Sequence, residues 1–177
     1  QRIQAIPGKN NPSFGTQATF KPNSKVTLNW STFLGTDQPQ EAGTSLFFSN
    51  MYGDFSLGKR WKVIAGVDVG KRTQVDSPDR NWWGMALITQ YRFSEGFAGA
   101  LRYEYYGDPF QARANSGSNV GVETGGLSLN LDKKIGNWSL FRVEGRWLDS
   151  QVPLEQGFSP AVSEDFVILA SWAFFWN

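Results

Sequence analysis

The stretch Asp165-Phe-Val-Ile-Leu-Ala-Ser-Trp-Ala-Phe-Phe-Trp-Asn177 constrains this chain more than any other. In steps of two it sets Phe166, Ile168, Ala170, Trp172, Phe174 and Trp176 against Val167, Leu169, Ser171, Ala173 and Phe175, which is the period of a β-strand. A membrane-spanning helix needs about 20 apolar residues, whereas a tilted transmembrane strand needs about 9–11. The length therefore fits a strand that crosses a bilayer and ends in an aromatic cluster at the lipid–water boundary.

The same period recurs along the chain. Val26, Leu28, Trp30, Thr32 and Leu34 oppose Thr27, Asn29, Ser31 and Phe33, so one face suits lipid and the other water. Trp61, Val63, Ala65, Val67 and Val69 oppose Lys62, Ile64, Gly66, Asp68 and Gly70. Similar alternation covers Ser13–Phe20, Trp83–Phe93, Phe97–Tyr106, Gly125–Asp132 and Leu140–Trp147, with a less regular example over Thr44–Leu57. The expected fold is all-β, with about nine strands and no helical period.

Composition agrees. A mean hydropathy of −0.38 is too polar for a helical membrane protein. It suits a barrel, in which only every second strand residue meets lipid. A net charge of +1 gives no field that would favour nucleic acid. With 0 Cys and 0 His, thiolate or imidazole zinc sites, cysteine nucleophiles and Ser-His-Asp triads have no candidates. Glu104 and Glu144 each have an Arg at i−2 on the same face, which favours the ionised carboxylate over a general acid. No enzyme, metal or cofactor is expected.

The connections are expected to alternate between short turns (Lys21–Ser24, Gly58–Arg60, Ser94–Gly96, Lys133–Asn137) and longer polar loops (Gly35–Gly43, Lys71–Asn81, Gly107 to about Gly121, Ser150–Ser163). Outer-membrane barrels pair short periplasmic turns with long extracellular loops. On that basis the last strand runs from outside to the periplasm, and residues 1–12 form an extracellular loop. Bacterial barrels have an even strand count with both ends periplasmic. The expectation is thus the C-terminal part of a larger transmembrane antiparallel up-and-down β-barrel, processed or truncated before Gln1; the alternative is a complete eight-stranded barrel over Lys25–Asn177.

Charges on the lipid face would cost about 2–4 kcal/mol each for Arg or Lys near the midplane. Lys62, Asp68, Arg92, Arg102, Glu104, Asp132, Arg142, Glu144 and Arg146 are therefore assigned to the lumen, a near-balanced set. Two readings stay open: a pore lining that sets ion preference, or a ladder of ion pairs that braces the wall. Trp30, Trp61, Trp83, Trp147, Trp172, Phe174 and Trp176 are assigned to a membrane girdle. Trp82 and Phe110, near loops, are weaker candidates for stacking on a sugar. Acidic pairs such as Asp37/Glu41 and Asp76/Asp79 match no calcium-loop spacing and read as solvated surface.

The segment Ala100-Leu-Arg-Tyr-Glu-Tyr-Tyr-Gly-Asp-Pro109, with Gly126-Leu-Ser-Leu-Asn130 and Phe141-Arg-Val-Glu-Gly-Arg-Trp147, resembles the C-terminal half of the outer-membrane β-barrel porins of Bacteroidota and related bacteria. Asn11-Pro-Ser-Phe-Gly15, Phe20-Lys-Pro22 and Phe33-Leu-Gly35 are similar to the same family, and Asn177 departs from its usual terminal aromatic. The resemblance implies a single outer-membrane domain over residues 1–177, passive diffusion of small solutes, and contact with membrane lipid and lipopolysaccharide. Its assembly would be a homo-oligomer or an outer-membrane complex. Two other functions stay open: a non-conducting barrel serving as anchor or complex subunit, and, more remotely, a soluble β-sandwich binding module.

Overall fold

In the computed structural model, which describes residues 12–36, 43–114, 120–156 and 159–175, the alternating stretches become one antiparallel sheet. Its strands are β1 (Phe14–Asn23), β2 (Val26–Gly35), β3 (Thr44–Leu57), β4 (Trp61–Gln74), β5 (Ser77–Ser94), β6 (Phe97–Asp108), β7 (Val122–Ile135), β8 (Ser139–Gln156) and β9 (Ser159–Phe174). Their order in the sheet is their order in the chain. This is the up-and-down wall of a β-barrel, and none of the described residues forms a helix long and apolar enough to cross a membrane.

The strand registers carry the alternation across the sheet. Leu28 pairs with Gly53, Gly53 with Ala65, Ala65 with Leu87, and Leu87 with Tyr103, so a single row of the apolar face runs over five strands. The other face puts Asp54 opposite Ile64, Ile64 opposite Ile88, Ile88 opposite Arg102, and Arg102 opposite Ser128. A slip of one residue in any strand would exchange its faces, which fixes the register wherever the two faces meet different solvents.

Among the described residues the buried hydrophobics are only Leu46, Trp82, Ala112 and Val122. The large apolar side chains instead stand exposed along one face, among them Leu28, Trp30, Val67, Leu87, Leu129 and Ile168. An apolar surface of this extent is favourable only against lipid or a partner. A soluble β-sandwich would pack that face against a second sheet; the described strands form one sheet.

Three expectations need correction. Lys71–Asn81 is not a loop: β4 runs to Gln74 and β5 starts at Ser77, leaving a turn at Val75-Asp76 with Asp76 at φ 57°. Likewise Ser150–Ser163 is mostly strand, since β8 reaches Gln156 and β9 begins at Ser159. In the first of these hairpins the outward row changes from Val67, Val69 and Trp83 to Lys71, Asn81 and Asp79, and Lys71 pairs with Asp79 at 2.5 Å. The strands continue past the apolar band, where polar residues on both faces erase the alternation that marks a strand. Finally, the eight-stranded alternative needs a free edge on β2 to meet β9, and that edge is taken by β1 along Phe14–Asn23.

The Gly35–Gly43 and Gly107–Gly121 connections keep their predicted places between β2 and β3 and between β6 and β7. Residues 1–11, 37–42, 115–119, 157–158 and 176–177 lie outside the described residues, and with them most of the proposed 1–12 loop, Asp37, Glu41 and the girdle residue Trp176.

Candidate functional site

The polar face carries the charged residues because strand parity sends them there, and their pairing follows from register. On β7 and β8, Asp132 and Arg142 are direct cross-strand partners. The guanidinium grips the carboxylate with both prongs, Nε to Oδ1 and a terminal nitrogen to Oδ2, each at 2.7 Å, the planar match that makes Arg–carboxylate pairs specific. Glu144 stands beside Arg142 on β8 and faces Asn130 of β7.

Nearer the middle of the wall, Glu104 of β6 accepts from two arginines at once, Arg102 on its own strand and Arg146 on β8. The second bond crosses β7. Glu104 is paired with Gly126 and Gly126 with Leu148. A Cβ on Gly126 would lie 2.9 Å from Glu104 Oε1 and 3.0 Å from Glu104 Cγ. The missing side chain is the passage through which the carboxylate reaches the next arginine.

On the other half of the wall the ions are spread out. Lys62 pairs with Asp54 of β3 at 2.8 Å, and Asp68 accepts from the Asn50 amide at 2.5 Å. Arg92 sits apart, near the short-turn end, lining a hollow with Ser94, Ala98 and Lys134. Between the two halves lies a hollow of about 300 Å³ whose walls include Lys62, Gln90, Arg102, Asn130, Arg142 and Glu144.

All nine charged residues assigned to the lumen thus stand on one face. Arg102, Glu104 and Arg146 form one cluster, Asp132, Arg142 and Glu144 a second, and Lys62, Asp68 and Arg92 are separate from both. Asp54 and Asn50, the partners of Lys62 and Asp68, were not among the assigned residues; their shared parity with Tyr52 on β3 was the signal that could have found them.

Chemically, the two clusters set carboxylates against guanidiniums within and across strands β6 to β8, a fixed transverse field along the polar face.

The girdle aromatics among the described residues occupy the opposite face. At the short-turn end Trp61, Tyr91, Phe93 and Phe97 form a chain of rings with successive centroids 4.7, 5.0 and 5.0 Å apart, and Trp172 and Phe174 stack 5.1 Å apart. Toward the far end Trp83 stacks on Tyr105 at 5.0 Å. Trp30 and Trp147 are exposed on the same face, and the Trp30 indole donates to Ser49 Oγ at 2.9 Å, so its polar atom is satisfied without water.

Trp82 departs from its assignment: it lies within β5 on the polar face and is only 7% exposed, so its ring is not available to a sugar. Phe110, 56% exposed, is.

A family model described as Putative beta-barrel porin-2, OmpL-like, matches residues 1–175 of the chain. No curated protein and no solved structure matches it.

Proposed function

The chain belongs to the Putative beta-barrel porin-2, OmpL-like family, and from that premise we propose that it works as an outer-membrane porin through which small solutes diffuse passively. Membership of a porin-like β-barrel family supports an outer-membrane location and a transport rather than an enzymatic role. The observation that carries the reading is the division of one sheet into an exposed apolar face, banded with aromatics, and an opposite face bearing paired ions.

In this reading the polar face lines the pore. Lys62, Asp68, Arg92, Arg102, Glu104, Asp132, Arg142, Glu144 and Arg146 contact water and passing solutes. Because cations and anions are nearly balanced, they orient water across the lumen and give only weak charge selection along most of its length. Trp30, Trp61, Trp83, Trp147, Trp172, Phe174 and Trp176 anchor the wall at the lipid boundaries. Membrane lipid and lipopolysaccharide cover the apolar face. The short turns lie in the periplasm and the long hairpins outside the cell.

The test is conductance of the native protein in planar bilayers. Stepwise current increases are expected on insertion. Correctly inserted protein that passes no current would instead support a barrel closed by its own ion pairs, serving as an anchor or complex subunit.

A further inference from the structure

At the short-turn end the apolar face carries a cation among its aromatics. Lys133 of β7 is the direct partner of Phe97 on β6 and of Phe141 on β8. Its ammonium stands 5.9 Å from the centre of the Phe97 ring, and beyond Phe141 the rings continue through Trp172 to Phe174. A charge on a lipid-facing row is tolerated close to the water boundary and not at the midplane. That sets Lys133 at the level of lipid headgroups rather than of acyl chains.

A second cation stands on the other side of the same belt. Arg60, in the β3–β4 turn, donates from Nη1 to the Tyr91 hydroxyl at 3.3 Å. Tyr91 belongs to the ring chain Trp61–Tyr91–Phe93–Phe97, so Arg60 bounds that chain on one side and Lys133 on the other. Both side chains are exposed. Among the described residues neither meets a carboxylate; a hydroxyl and a ring face supply partial negative charge but no counter-ion.

The turns behind the belt have the same sign. Lys21, Lys25, Lys59, Arg60, Lys133 and Lys134 lie in or beside the short turns, against Glu95 alone. At the opposite end, the mouth, charges are met from within the protein. There the outward Lys71 pairs with Asp79 at 2.5 Å. Asp108 accepts from the backbone N–H groups of Ala112, Arg113 and Ala114, which closes the start of the β6–β7 connection into a bend.

We propose that the belt from Arg60 to Lys133 binds anionic phospholipid of the periplasmic leaflet, with lipid phosphates as counter-ions to the two cations and acyl chains along the rings beside them. This rests on the outer-membrane reading given above, which sets the apolar face against lipid and the short turns in the periplasm. Charge complementarity identifies the occupant: a basic rim without internal counter-ions matches a negatively charged leaflet surface, and each Lys or Arg near such a surface contributes about fivefold in binding.

The experiment is native mass spectrometry of the folded protein in detergent micelles, titrated with phosphatidylglycerol or with phosphatidylcholine of the same chains. A heat-dependent gel shift first establishes that each variant is folded. Native protein is expected to retain phosphatidylglycerol in preference. R60Q and K133Q should each lower that preference by about fivefold, K133R should keep it, and K71Q, at the mouth, should match native protein.

Equal retention of the two lipids by native protein, or a preference that survives the combined R60Q and K133Q substitutions, would overturn the proposal and leave the porin reading intact. An equal loss in K71Q would show that any surface cation suffices and would overturn it as well. Lipopolysaccharide also carries phosphate; if it displaces phosphatidylglycerol from native protein at equal concentration, the belt faces the outer leaflet and the assignment is wrong. Protein that retains neither phospholipid fails the outer-membrane reading itself.

Discussion

Glu104 on β6 and Arg146 on β8 form an ion pair over the top of the strand between them, and Gly126 of β7 is the reason they can. Gly125, one residue away, points to the opposite face, where a Cβ would meet nothing closer than Tyr105 Cδ2 at 3.8 Å. The two glycines therefore make a matched pair for mutation. G126V should break the bridge and overpack the site, with a loss of about 1–3 kcal/mol, whereas G125V should be nearly neutral. Unfolding midpoints from the heat-dependent gel shift of the folded barrel would check this; equal midpoints for the two variants would exclude the passage role of Gly126.

Removing the shared carboxylate asks a different question of the same cluster. E104Q leaves Arg102 and Arg146 facing one neutral amide, so the polar face gains one net positive charge at mid-wall. If that face lines the pore, the reversal potential in a salt gradient should move toward anion preference, and the change should shrink as salt rises and screening shortens to about 3 Å at 1 M. An unchanged potential at low salt would place the cluster outside the conduction path.

Facing can be tested without any assumption about transport. Leu129 and Asn130 are neighbours on β7, and Leu129 stands exposed on the apolar row with Leu127 and Leu131 while Asn130 lines the polar hollow. L129R should cost about 2–4 kcal/mol if it lies near the bilayer midplane, and N130R should fold with little loss. Folding yield into lipid vesicles with a urea titration measures both. A milder effect for L129R than for N130R would reverse the assigned faces.

These residues also show what could be read from the sequence. The facing of β2, β4 and β8 was legible because each crosses two different solvents, and period 2 records that contrast residue by residue. The extent of β4, β5, β8 and β9 was not, since Lys71, Asp79 and Asn81 give the outward row the same polarity as the inward one once the strands pass the apolar band. Within the site, the membership of Arg102, Glu104 and Arg146 on one face was readable from parity. Their contact was not, because it depends on a register across three strands and on a residue with no side chain. Asp108 is a similar case: it stood inside the Tyr-Tyr-Gly-Asp-Pro motif, but its partners are backbone groups of residues 112–114, which no side-chain pattern announces.

The last prediction concerns how the mouth is built. Trp82 and Gly70 are direct cross-strand partners on the polar face, and a Cβ on Gly70 would lie 1.9 Å from Trp82 Cζ2, inside the indole itself. The ring lies flat where a side chain would otherwise stand, and in that position it supports Ala112. G70A should therefore expel the ring, cost about 1–3 kcal/mol through overpacking, and release the bend beyond Asp108. Gly84, on the same polar row of β5, supplies the control, since its Cβ would find its nearest atom, the Tyr105 carbonyl oxygen, at 3.5 Å. Limited trypsin digestion read by mass should show faster cleavage after Arg113 in G70A than in native protein or G84A. If G70A is cut no faster than native protein, the Trp82 ring does not hold the loop, and the bonds to Asp108 alone must do so.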